Sequence, residues 1–352
     1  MNYIAPPRSN GTIQHTRQKQ PWPKDRLFRI LSIDGGGIRG VFPAAYLAEI
    51  ESRFLGGQSI ANHFDMISGT STGGIIALGL SSGMTAAQVL QVYTERGHLI
   101  FPAPKGPRRL AQMLRFLLKP KHDQTVLKSE LLRIFGDKLI NDARTRLVVP
   151  SFEGIHGEPF IYKTPHHPDY QKDRHKTFAH VGLHTSAAPA YYPAVENDGH
   201  IMIDGGVWAN NPIMNALVDV LACYDVPREN IRILSLGTGD ETLKLKDKHF
   251  KGGASTWGVS VGVSPLFKVA ARAQSKNALG QAFLLIGKNN IIRVDVPEND
   301  QFIALDDVKR SLTELPRIAR AQAESSGHYV RSVFLQDQTE RLAPVALNFK
   351  TS

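Results

Sequence analysis

The chain has 352 residues, 42% of them hydrophobic, and its 42 Lys and Arg outnumber 32 Asp and Glu for a formal net charge of +10. That apolar content supplies a core for one large domain or two, while no uninterrupted apolar run of roughly 18 residues or more offers a membrane-spanning helix. The positive charge favours an anionic partner such as a nucleotide or acidic lipid headgroups, but no zinc-finger spacing, RNP-like aromatic pattern or basic heptad pattern points to nucleic acid.

In chain order, residues 1–25 are polar and proline-bearing, lack the apolar core of a signal peptide, and read as a poorly ordered N-terminal arm. Residues 26–350 show no long linker or internal repeat and read as one elaborated domain. The first strand signal, Leu27 to Ile33, runs into Asp34-Gly35-Gly36-Gly37-Ile38-Arg39-Gly40. A helix follows from Val41, with Pro43 allowed in its first turn and Ala44, Leu47, Ile50 and Phe54 on one face. Gly35-x-Gly37-x-x-Gly40 has the form of a dinucleotide fingerprint. The region about 20 residues on, where an acidic residue should end a second strand, is instead a helix tail followed by Gly56-Gly57. Bare N–H groups of a glycine loop also suit a tetrahedral acyl oxyanion, with Arg39 fixing the loop or helping to hold the anion.

The next stretch is a buried strand from Phe64, a tight turn and an apolar helix, with Gly69-Thr70-Ser71-Thr72-Gly73-Gly74 at the bend. A nucleophile elbow holds a serine in such a strained turn, and the flanking Gly69 and Gly73 let strand and helix approach closely. The helix start aims free N–H groups and its dipole at Ser71. It is not a phosphate-binding P-loop, since no Lys-Ser/Thr pair follows. A second Gly-x-Ser-x-Gly, Gly258 to Gly262 around Ser260, lies in a glycine- and serine-rich run with no strand feeding it.

Thr85 is expected to cap another helix. Later strand signals are Leu147-Val148-Val149, Phe160-Ile161-Tyr162, Ile201-Met202-Ile203 and Ile231 to Leu236, with helical segments between most of them, including Pro212 to Leu221. Short apolar strands alternating with helices predict a mostly parallel sheet covered on both faces. In such folds catalytic groups sit at strand carboxyl ends, where Asp34, Ser71 and Asp204 all fall. An acyl-transfer serine needs a base, and Asp204-Gly205-Gly206 follows a strand and precedes Trp208-Ala209-Asn210-Asn211-Pro212. A carboxylate near its reference pKa of about 3.9 is a poor base unless burial raises it. The alternative is a Ser-Asp-His triad in that chain order. After Asp204 only His249, among lysines, and His328, at an expected helix end after Ser325-Ser326-Gly327, are available.

Four motifs in order now stand together: Ile30-Leu31-Ser32-Ile33-Asp34-Gly35-Gly36-Gly37-Ile38-Arg39-Gly40; Gly69 to Gly74; Thr185-Ser186-Ala187-Ala188-Pro189-Ala190-Tyr191-Tyr192-Pro193; and Asp204-Gly205-Gly206 with Asn210-Asn211-Pro212. Leu234-Ser235-Leu236-Gly237-Thr238-Gly239 adds to them, and over roughly residues 27–300 the chain strongly resembles the patatin-like phospholipases. The resemblance implies a three-layer α/β/α fold and lipid acyl hydrolysis by a Ser–Asp dyad without histidine. By position Ser71 would be the nucleophile, Asp204 the base, and Gly36, Gly37 and Arg39 the oxyanion region, with no cofactor or metal. The whole chain looks like bacterial patatin-like phospholipases switched on by cyclic dinucleotides in anti-phage defence. That likeness implies a cytoplasmic enzyme reaching phospholipid at the inner membrane. A constitutive lipid acyl hydrolase and a storage protein of the same fold are the competing readings.

Four features stand outside these motifs. Arg108 to Lys119 is a basic amphipathic stretch, readable as a membrane-surface helix or lid or as a helix packed on the core. His166 and His167, with His175 and His180, suggest a flexible basic loop near an anionic ligand rather than a metal site. Cys223, the single cysteine, excludes an internal disulfide, fits a reducing compartment and reads as a small core residue. Ser264 to Lys288 reads as a long helix or helix pair covering the site or an oligomer face.

Overall fold

The computed structural model describes residues 3–8, 17–102, 120–239, 265–297 and 303–346. The basic stretch 108–119, His249 and Ser260 lie outside the described residues. From the amino end come β1 (Gln20–Pro21), β2 (Phe28–Ile33), α1 (Val41–Phe54), β3 (Met66–Gly69), α2 (Thr72–Ser81), α3 (Ala86–Ile100) and α4 (Gln124–Phe135). The middle holds β4 (Arg146–Glu153), β5 (Glu158–Lys163), α5 (Phe178–Thr185), β6 (Val195–Asn197), β7 (His200–Asp204) and α6 (Gly206–Ala209). The remainder is α7 (Ile213–Cys223), β8 (Tyr224–Asp225), β9 (Ile231–Leu236), α8 (Pro265–Ile286), β10 (Ile291–Val294) and α9 (Val308–Phe334).

The main sheet has eight strands in the order β10-β9-β2-β3-β4-β7-β6, with β5 also on β4. All six residues of β2 are buried, because β9 and β3 flank both its edges and helices cover both its faces. Its side chains alternate accordingly. Phe28 and Ile30 join a core with Ile213, Leu217 and Val220 of α7 and Ala278 and Ala282 of α8. Leu31 and Ile33 join the opposite core, with α1, α2, α3 and α9. The result is the expected three-layer α/β/α arrangement.

The sheet is parallel from β10 through β4, then turns antiparallel. This change of direction positions the site. β5 occupies one edge of β4 from Val148 to Glu153. On the other edge β3 pairs only as far as Ser68 with Val148, then leaves the sheet. β7 takes up the vacated edge from the opposite direction, with Asp204 opposite Ser151. The carboxyl ends of β3 and β7 therefore approach each other head to head along β4.

Two expectations are corrected. His328 is not at a helix end but inside α9, where its ring stands 5.3 Å from that of Phe54. His166 and His167 are not on a flexible exposed loop: both are buried, and His166 Nε2 lies 2.7 Å from Asp219 Oδ2 of α7. Burial within a network of charged and hydroxyl groups is possible there because a carboxylate from a distant helix meets the imidazole. Of the two forms expected for the segment near residues 264–288, the structure has the single long helix, residues 265–286. The described parts of the amino-terminal arm are fastened to the body: Ala5 N donates to Gly199 O at 3.1 Å, and Trp22 is buried beside Phe28 and Tyr224.

Candidate active site

Ser71 occupies the turn between β3 and α2 with φ 56° and ψ −121°, a strained conformation for a residue with a side chain. Two glycines permit it. A Cβ on Gly69 would collide with the carbonyl of Gly73, and one on Gly73 with the carbonyl of Ile33. The turn is braced from α5: Ser71 N donates to Thr185 Oγ1 at 3.0 Å, and that hydroxyl donates to Pro150 O of β4 at 2.5 Å. Thr70 Oγ1 donates to Ala209 O at 2.6 Å. Strand, helix and cross-braces together offset the cost of the backbone strain.

Asp204 ends β7 and is buried. Its carboxylate faces the Ser71 side chain, and Gly206 N donates to Oδ1 at 2.7 Å. Burial pushes the Asp204 carboxyl up to about 7, against the opposing pull of the Ser71 side chain and the Gly206 N–H. Gly205 is needed at the bend, since a Cβ there would run into the carbonyl of Pro150. Asp204 N and Gly205 N are held by Ala187 O and Thr185 O at 3.0 and 3.3 Å. The Thr185-Ser186-Ala187 segment thus braces serine and aspartate at once, a role that its sequence alone did not disclose. No histidine lines this cavity or bonds to Ser71 or Asp204 among the described residues.

The glycine loop from Gly35 passes over the elbow. Gly35 N donates to Asn210 O at 3.0 Å, and Thr238 Oγ1 donates to Gly35 O at 2.7 Å. Gly36 is crowded by Thr238, Gly37 (φ 56°) by the carbonyl of Leu305, and Gly40 by Thr72. The Gly36 and Gly37 N–H groups have no hydrogen-bond partner among the described residues, whereas Ile38 N donates to Leu305 O at 2.9 Å. Arg39 is buried, with Nε 3.4 Å from Gly36 O and Nη1 on Gly239 O. Of its two expected roles, fixing the loop is the one these contacts perform.

The site opens into a cavity of about 690 Å³. Its apolar walls include Ile75 of α2, Val89 and Tyr93 of α3, and Leu127, Leu131 and Ile134 of α4. Lys121, ion-paired with Asp306, lines it too. Neither Leu305 nor this pair was foreseen, since no motif covered the tail beyond residue 300.

The sequence profile described as patatin-like phospholipase matches residues 31–217. This chain belongs to the patatin-like phospholipase family. The match takes in the glycine loop, the Ser71 elbow and Asp204. A curated relative from Pseudomonas aeruginosa, named cGAMP-activated phospholipase, is 38% identical over 213 residues, 60% of this chain and 62% of its own length. A protein of the same name from Vibrio cholerae is 34% identical over 241 residues, covering 64% of this chain and 68% of that one. The chain thus aligns with about three fifths to two thirds of each of these two relatives. Among solved structures, human GIVD cytosolic phospholipase A2 is 11% identical with a TM-score of 0.43, over 87% of this chain and 60% of that one.

Proposed function

We propose that this chain is a serine acyl hydrolase of the phospholipase A type that cleaves acyl esters of membrane phospholipids with a Ser71–Asp204 dyad. One observation carries the reading: a strained serine and a buried carboxylate whose pKa is raised to about 7 line one apolar cavity together. Asp204 takes the Ser71 proton as Oγ attacks the ester carbonyl. The tetrahedral oxyanion is received by the Gly36 and Gly37 N–H groups, each such donor being worth about 10²–10³ in rate. The protonated Asp204 then returns its proton to the leaving alcohol, and water attacks the acyl-serine by the same route in reverse. The apolar walls suit an acyl chain.

The test is kcat on a short-chain ester. Ser71→Ala and Asp204→Asn are expected to lose nearly all activity while folded by circular dichroism, and His328→Ala and Ser260→Ala to keep it. A folded Asp204→Asn that retains substantial activity, beside a dead histidine variant, refutes the dyad.

The names of the two curated relatives support a further element, activation by a cyclic dinucleotide. Hydrolysis of phospholipid vesicles is then expected to rise when cGAMP is added, with other cyclic dinucleotides as the specificity comparison. Activity that is high and unchanged with all of them supports the constitutive reading instead. The net charge of +10 suits peripheral attachment to an anionic inner membrane.

A further inference from the structure

The end of β4, the turn behind it and the first residue of β7 bring together three metal-ligating side chains, Glu153, His156 and His200. Their ligand atoms all lie within 4.8 Å of one another. His156 Nδ1 stands 2.9 Å from Glu153 Oε2, and His200 Nδ1 stands 3.8 Å from Glu153 Oε1. Ligands about 2.1 Å from a tetrahedral zinc-class ion are held about 3.4 Å apart, a spacing near that of His156 Nδ1 and Glu153 Oε2 and inside the limit for the set of three.

The charge balance points the same way. Glu153 is fully buried, and no lysine or arginine pairs with it among the described residues. Its oxygens are instead met by the backbone N–H groups of Ile155, His156 and Ile201. Those backbone donors take both sites on Oε1 and one on Oε2, at 2.9, 3.2 and 2.7 Å. The fourth site faces His156 Nδ1. His200 Nδ1 is buried without a hydrogen-bond partner, an unusual cost for a polar atom. The nearby Arg8 is occupied elsewhere, by Asp173 and by the ring of Phe160.

We propose that Glu153, His156 and His200 form a binding site for one transition-metal dication of the zinc class. Two imidazole nitrogens and one carboxylate oxygen suit zinc far better than magnesium or calcium, which take oxygen ligands. Binding takes the place of the His156 Nδ1–Glu153 Oε2 contact, and exposed His156 leaves a coordination position open to water. The other three-residue group, His166, Asp219 and Cys223, is a poor rival. Lys163 already pairs with Asp219, and Arg17 approaches Cys223 Sγ at 3.9 Å, so cations fill that space.

The ion would act as a clasp across β4 and β7, about 13 Å along β7 from Asp204. Because Ser151 of β4 pairs with Asp204, the clasp stiffens the ladder that positions this carboxylate.

The experiment titrates the full chain, stripped with a chelator, with Zn²⁺ and separately with Mg²⁺ by calorimetry and thermal melting. One Zn²⁺ per chain and a raised Tm are expected, with no binding of Mg²⁺. His156→Ala and His200→Ala should each weaken Zn²⁺ binding by more than about tenfold, since even an outer-shell partner is worth that much. His156 sits on an exposed turn, so its variant decides the matter if His200→Ala does not fold. Zn²⁺ affinity unchanged in His156→Ala, lost instead in Cys223→Ser, or matched by Mg²⁺, overturns the proposal.

Discussion

Replacing Asp204 by asparagine should make the protein more stable, and increasingly so as pH rises. The native carboxyl has its pKa near 7 against an ordinary 3.8, so the folded state holds its proton more tightly than the unfolded state. A raised carboxyl pKa contributes fully below the unfolded value, and its stability is lost as pH climbs through the folded one. The interval of about 3 units corresponds to about 4 kcal/mol, the penalty for burying the ionised group above pH 7. Asparagine keeps the size and an acceptor for Gly206 N, and it does not titrate. The loss accrues at about 1.4 kcal/mol per pH unit, so the variant's advantage should grow by about 3 kcal/mol between pH 5 and the plateau above pH 7. In a chain of this size that is about 5 °C in Tm. The assay is thermal unfolding of both proteins at pH 5 and pH 8. A Tm difference that stays constant or shrinks across that range refutes burial as the cause of the raised pKa.

Three further outcomes are expected. The kcat/KM for a short-chain ester should fall about tenfold per pH unit below about 7, as Asp204 takes up its proton, and a flat profile from pH 6 to 8 would refute that assignment. Gly69→Ala should cost at least about 1–3 kcal/mol and most of the activity, because its Cβ meets backbone and not a movable side chain; Gly280→Ala, in α8 with nothing within 4 Å, should instead gain about 0.5–1 kcal/mol, and equal denaturation midpoints for the two would count against the steric argument. Sedimentation with vesicles should show tighter binding to anionic than to zwitterionic lipid, weakening with salt; equal binding to both would remove the net charge from the account.

What could be read from the sequence was local. The all-buried run of β2, the glycines at the elbow and the Thr85 cap each depend on neighbours within a few residues, and each falls where expected. What misled was set by distant partners. Ser325-Ser326-Gly327 carries the residues of a helix end, yet α9 runs through it. Ser326 Oγ meets Tyr46 OH at 2.8 Å, and Gly327 lets α9 close on Phe54, whose ring a Cβ would approach to 2.8 Å. His166 looked like a loop residue because Asp219, its partner, lies 53 positions away. The direction of β7 was likewise hidden. Strand periodicity reports which face is buried, not which neighbour a strand pairs with or which way it runs.

That direction bears on how, in the proposed dyad, an aspartate would stand where a Ser-Asp-His triad uses histidine. A parallel β7 would carry its carboxyl end toward Glu153 and away from β3; running antiparallel, it points Asp204 at the elbow. There, burial lifts the carboxyl to about 7, into the range where imidazole ordinarily works. The substitution is not equivalent in charge. A histidine base becomes a cation beside the oxyanion, whereas an aspartate base becomes neutral and offers it no counter-charge. In the proposed dyad the negative charge must therefore be met by fixed dipoles, the Gly36 and Gly37 N–H groups and the amino end of α2. This explains why the glycine loop is fastened at so many points, by Asn210, Thr238, Arg39 and Leu305. Donors that must hold an anion without a cation's help gain from being unable to turn away.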